Sequence, residues 1–370
     1  MKLPGIARHQ RGLTLIELMI ALLISLLLVG GVFTVFMSNR QTYRVTEGVA
    51  RIQENARSTF ELLARDLRLG SANLCKPFVP TSIEPNATLG IDTSWLDPAV
   101  SINFGQGFLR GETSATAFGG AADSPAIQSL SAATPVGLAV NGHYRATTPY
   151  RFTFTPPWSG SSASDYFSEG DIAVVCDFHN AAIFKITRVA NPDSIYYTST
   201  APNLIKYGCY SFNGPGQGDG GQPDGDSIDP EQASDCNGLP GTPAEAAASH
   251  NWAAALARLH AVRWYAGNNG RGGYSLYRQE VVNGAPAAPI EIADNLDNDP
   301  DASPSSGFAL EYLRPGLSNY VAANSVGSVD DWSSVTSVRV TLRLRSPEPI
   351  DDEPLRRTFI QTIALRARAP

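Results

Sequence analysis

From Leu13 to Met37 the chain is apolar almost without interruption, and the polar side chains in that run are Thr14, Glu17, Ser25 and Thr34. As a helix rising ~1.5 Å per residue, these positions reach roughly 37 Å, more than the ~30 Å hydrocarbon layer of a bilayer. The run predicts a membrane-spanning helix. Beyond Met37 the apolar positions thin out to helical spacing: Ile52, Ala56, Phe60, Leu63 and Leu67 recur every three or four residues. Arg51, Glu54, Arg57, Glu61, Arg65 and Asp66 are assigned mostly to the opposite face. Gly30, Gly31 and Gly48 each weaken the helix by ~1 kcal/mol relative to alanine and are expected to allow bending or melting, and Gly70 is the expected C-terminal stop. One helix of roughly 55 residues therefore runs out of the membrane as an amphipathic stem.

After Ser71 the pattern changes to short β-rich runs set among glycine, proline, serine, alanine and asparagine. Strands are predicted at 150–155, 171–176, 182–189, 194–198, 205–212, 261–265, 274–282, 335–345 and 357–366. Val338 to Arg345 alternates cleanly, so one face packs while the other, carrying Arg339, Arg343 and Arg345, meets water or a partner. Residues 359–366 alternate less cleanly and read as the neighbouring strand. Loops are expected over 77–149, 213–249 and 284–308, and a short Ala-rich helix over 244–259. The predicted fold is α+β: a long N-terminal transmembrane-to-periplasm helix packed on an antiparallel, sheet-rich C-terminal domain with long loops.

Glu17 is the informative residue of the apolar run, because an ionised carboxylate inside it costs on the order of 2–3 kcal/mol to insert and calls for a partner or an interfacial position. Lys2, Arg8 and Arg11 precede the span with no acid among them, which places the N-terminus in the cytoplasm. A cleaved secretory signal does not fit, since the apolar run exceeds the usual ~7–15 residues and no Ala-x-Ala-like site follows.

The basic leader, the Arg11-Gly12 junction, Thr14, Glu17 and the long apolar helix together resemble the type III signal of type IV prepilins and pseudopilins. The resemblance implies that prepilin peptidase cuts between Gly12 and Leu13 and that the new N-terminus at Leu13 is methylated. Removing 12 of the 370 residues leaves 358. It also implies that Glu17 sets assembly register by pairing with the freed amine of a neighbouring subunit, which relieves the burial of both charges. Leu13 stands where the family most often has phenylalanine. Residues 64–69, 170–176, 182–187, 274–278 and 357–368 resemble the PilW class of minor pilins more loosely. The division so implied is a leader at 1–12, a transmembrane part of the helix at 13–37, its amphipathic periplasmic part at 38–70 and a periplasmic β-rich domain at 71–370. The implied role is a minor pilin in initiation of pilus assembly or a tip complex, at the inner membrane and then in the filament. Its implied partners are other minor and major pilins, prepilin peptidase and the inner-membrane assembly platform. A pseudopilin of a type II secretion system, J-like in character, and a tip adhesin or DNA-uptake module are the alternatives, and no surface ligand can be read.

Cys75, Cys176, Cys209 and Cys236 all lie on the exported side, where an even count favours disulfides. Three pairings are possible, and Cys209 with Cys236 and Cys75 with Cys176 are the expected ones. Asp224, Asp226 and Asp229 crowd one loop and Asp294, Asp297, Asp299 and Asp301 another, but neither follows the twelve-residue calcium pattern. Solvated acidic loops are expected, with the first cluster as the calcium alternative. No catalytic motif or cofactor fingerprint is present, and His143, His179, His250 and His260 lack ligand-like spacing, so no enzyme and no cofactor are expected. A chain at −7, or −10 once a leader carrying +3 is removed, does not favour nucleic acid. Tyr196, Tyr197, Trp264 and Tyr265 read as core or cross-strand residues.

Overall fold

The computed structural model describes residues 14–71, 81–82, 108–116, 119–132, 138–144, 149–176, 181–198, 254–282, 285–297, 306–326, 332, 334–350 and 353–365. One long helix, α1 (Leu15–Ser71), comes first. It is followed by β1 (Thr81–Ser82), β2 (Phe108–Glu112), β3 (Ala126–Ala132), β4 (Leu138–Tyr144), β5 (Tyr150–Phe154), β6 (Ile172–Cys176), β7 (Ala181–Lys185) and β8 (Arg188–Ala190). The remaining strands are β9 (Ser194–Tyr197), β10 (Ala255–Asn268), β11 (Tyr274–Val282), β12 (Ala285–Pro286), β13 (Ile290–Leu296), β14 (Phe308–Leu313), β15 (Ser337–Ile350) and β16 (Glu353–Ala364). The organisation is α+β, and among the described residues the strand pairing is antiparallel apart from the short parallel β1–β7 pair.

The chain forms two compact units. One combines residues 1–53 with 346–355, the other residues 54–345 with 356–370. In the first, α1 runs unbroken through Gly30, Gly31 and Gly48, so these glycines do not interrupt it. Gly48 is buried, and a side chain there would come within 3.7 Å of Ser346 Cβ. Leu355 N–H donates to Ser346 Oγ at 2.9 Å and closes the tip of the β15–β16 hairpin.

In the second unit the inward face of α1 is the one its spacing implied: Ala56, Phe60, Leu63, Ala64 and Leu67 are buried. Asp66 departs from the expected solvent face. It is 3 % exposed and accepts hydrogen bonds from Trp264 Nε1 at 2.9 Å and from Arg278 Nε at 2.6 Å. The register puts Trp264 on β10 opposite Arg278 on β11, so both side chains share the face that Asp66 meets. Burial works against the Arg278 charge, but hydrogen bonds to Asp66 and Glu280 outweigh it and hold the guanidinium pKa above its ordinary value. The helix ends against β3, where a Cβ on Gly70 would lie 2.5 Å from Ser129 Cβ.

β10 is the hub of the sheet. Its first residues, Ala255 to Arg258, pair with β6, and its later ones pair with β3 on one edge and β11 on the other. Residues 255–259 are therefore strand and not the expected Ala-rich helix, because pairing with β6, with β4 at Ala255 and Leu256 and with β3 at Leu259 outweighs alanine's helical preference. The loops expected over 77–149 and 284–308 also contain strands: β1, β2, β3 and β4 in the first, β12, β13 and the start of β14 in the second. Their alternation is hidden in the sequence because buried positions on β3 include Gln128, Ser129 and Ser131. The single strand expected over 182–189 is two, since Ile186 N–H bonds Asp171 O while Thr187 N–H turns to Tyr196 O. A second core gathers Val140, Phe152, Phe154, Phe184, Ile195 and Tyr197. The predicted strand 205–212 and loop 213–249 lie outside the described residues.

Candidate membrane and assembly segment

Every described residue from Thr14 to Arg44 is exposed, although Leu15 to Met37 is almost wholly apolar. The helix is long and apolar enough to cross a membrane, and none of its apolar window is buried in the protein. The polar side chains inside it are satisfied by the backbone: Ser25 Oγ donates to Ala21 O at 2.7 Å and Thr34 Oγ1 to Gly31 O at 2.8 Å. That leaves no hydroxyl of the span asking for water, as a hydrocarbon surround requires.

Glu17 sits at the third helical position, and its carboxylate is engaged within the chain. Glu17 Oε2 accepts from Thr14 N–H and from Thr14 Oγ1, both at 3.0 Å, while Glu17 N–H donates to Thr14 Oγ1 at 3.3 Å. This reciprocal pattern is a capping box, and it starts the helix at Leu15. The Thr-x-x-Glu spacing before an apolar run carries that capping signal in the sequence, alongside the prepilin-type motif to which both residues belong. The acid also lies at the positive end of the helix dipole.

Gly12 and Leu13 lie outside the described residues, as do Cys75, Cys209, Cys236, Asp224, Asp226 and Asp229. Cys176 has its backbone on β6. Of the second acidic cluster, Asp294 accepts from Asn55 Nδ2 at 3.0 Å and Asp297 is buried 3.6 Å from Arg356 Nε, so both serve the packing of the second unit. Among the described residues no group of His, Cys, Asp or Glu is arranged to hold a metal ion. His143 is buried against Tyr197, and His260 lies 3.5 Å from Glu280. On β15 the apolar side chains of 338–345 are buried and the alternating arginines are partly exposed, as the alternation implied, and Arg339 lies 3.4 Å from Glu311 and stacks over Tyr320. Trp264, Tyr265 and Tyr197 are core residues, as their strand positions implied.

Residues 7–33 match the family model described as the prokaryotic N-terminal methylation motif. The chain carries a prepilin-type signal. That signal covers the capped helix start and most of the exposed apolar run, so the segment that the sequence singles out is the one the match covers. No curated protein and no solved structure matches the chain. The prepilin-type motif points to a pilin-like or pseudopilin-like substrate of prepilin peptidase that assembles with other pilins, a structural protein more than an enzyme.

Proposed function

We propose that this chain is a minor pilin of the type IV pilus, of the PilW class, acting in initiation of pilus assembly or in a tip complex. The observation that carries the reading is a methylation motif laid over a capped, exposed apolar helix. In this reading residues 1–12 are the cytoplasmic leader, 13–37 cross the inner membrane, 38–70 form the stem and 71–370 form the periplasmic domain. The peptide bond after Gly12 is cut, Leu13 becomes the methylated terminus, and Glu17 meets the freed amine of a neighbouring subunit. In the oxidising compartment Cys75–Cys176 and Cys209–Cys236 close two bridges.

The capping box refines the part played by Glu17. Its carboxylate has several acceptor sites and uses two of them on Thr14, which leaves capacity for an incoming ammonium. Replacing Gly12 with valine tests the reading: the purified chain is expected to keep its leader by intact mass, and the cells to lose surface pili. A processed chain in that variant would overturn the junction. Pili at normal number in a deletion strain that no longer secretes its exported proteins would overturn the pilus role in favour of a secretion pseudopilin.

A further inference from the structure

The first two cations after the apolar span are left without acids among the described residues. Farther along α1, Arg51 pairs with Glu47 at 2.7 Å and Arg57 with Glu61 at 3.0 Å. Arg40 and Arg44 have no ion-pair partner among the described residues. No Asp or Glu lies within four residues of Arg40, and Glu47, three residues from Arg44, is taken by Arg51. Both arginines are exposed, and Tyr43 beside Arg44 is 73 % exposed. In a chain carrying −7, this is bare positive charge at one defined height.

That height is set by the helix. Arg40 and Arg44 stand about 4.5 and 10.5 Å beyond Met37, and the headgroup layer on each side of a bilayer is roughly 5–7 Å deep. Long arginine side chains reach back along the helix, so both guanidinium groups fall within that layer. Tyr43 is an amphipathic ring at the same level, the position that aromatic belts occupy. A guanidinium fork matches a phosphate with two parallel hydrogen bonds. Beside Arg44, Gly48, Pro347 and Pro349 help to line a cleft that leaves room next to the cation.

We propose that Arg40, Tyr43 and Arg44 form a collar that binds the phosphates of anionic phospholipids in the leaflet where the helix leaves the bilayer. The proposal rests on the membrane-anchor reading of the apolar helix. A lipid headgroup is favoured over an acidic protein segment because the collar adjoins the end of the span within one uninterrupted helix. The collar holds the helix at a fixed depth and gives it a preference for anionic membrane.

The full chain, reconstituted in nanodiscs of phosphatidylcholine with a minority of phosphatidylglycerol, tests this when the lipid retained after detergent extraction is counted by mass spectrometry. The unaltered chain is expected to enrich phosphatidylglycerol, and R40Q/R44Q to lose that enrichment on the order of tenfold. R40K/R44K keeps the charge without the planar fork and is expected to fall between them. The leader cations are present in all three chains and cancel in the comparison. Equal enrichment in the unaltered chain and in R40Q/R44Q would overturn the collar, as would displacement of the lipid by inorganic phosphate. Resistance to alkaline extraction from pure phosphatidylcholine vesicles reads the anchor by itself. A chain that is extracted refutes the anchor, whereas one that stays inserted without phosphatidylglycerol preference refutes the collar alone.

Discussion

Two acids on α1 show how much the surroundings decide what a carboxylate does. Glu17 is exposed on the apolar run and satisfied by Thr14, while Asp66 is buried and satisfied by Trp264 and Arg278. Asp66 is the more consequential for stability. Removing it leaves an indole N–H and a guanidinium buried with reduced partnership, since Arg278 retains Glu280 alone. Replacing Asp66 with alanine is therefore expected to destabilise the second unit by roughly 3–5 kcal/mol, measured as a lowered urea midpoint. An unchanged midpoint would mean that Asp66 is incidental to the packing of α1 on β10 and β11. Helical spacing alone puts Asp66 on the wet face, because spacing treats every charged side chain as solvated. The buried partners that reverse this come from residues 198 and 212 positions away.

At the scale of elements, the helix is the most legible part of the chain. Its apolar run, its amphipathic continuation and its end near Gly70 all follow from local spacing, and α1 spans Leu15–Ser71. The sequence implies that the glycines within it loosen it, yet the helix passes through them, because about 1 kcal/mol at each of three positions is too little to break a run of 57 residues. Gly70 has a different job. It lets the last turn approach β3 at Ser129, and an alanine there is expected to push the helix end outward and lower stability by about 1–3 kcal/mol. A G70A/S129G pair that recovers the loss would confirm that the contact is steric; no recovery would place the cost in the helix end itself. The sheet was less legible. Strands β5, β6, β9 and β11 carry enough branched and aromatic residues to be read directly, whereas β3 and β13 rely on small or polar residues whose burial is set by neighbours. Alanine and leucine over 255–259 favour a helix, whereas pairing of Ala255 to Arg258 with β6 makes the segment strand.

At the scale of the whole molecule, the chain joins a prepilin-type signal on a long apolar helix to a large antiparallel sheet domain. Replacing Glu17 with valine separates insertion from assembly. The span becomes more apolar and should insert as well as before, while incorporation into filaments should drop by at least tenfold, read by immunogold counting of the subunit in sheared pili. Normal incorporation would show that the carboxylate serves the helix cap alone. Sequence by itself determined the membrane-competent helix, its prepilin-type motif and the α+β class, because these depend on neighbours a few residues apart and on composition over short windows. Tertiary structure alone decided which strands pair, that β10 is their hub, that Asp66 is buried and that Arg339 is engaged by Glu311 and Tyr320. Those outcomes depend on contacts between residues far apart in the chain, and pairing energy at such contacts outweighs the local preferences that a sequence displays.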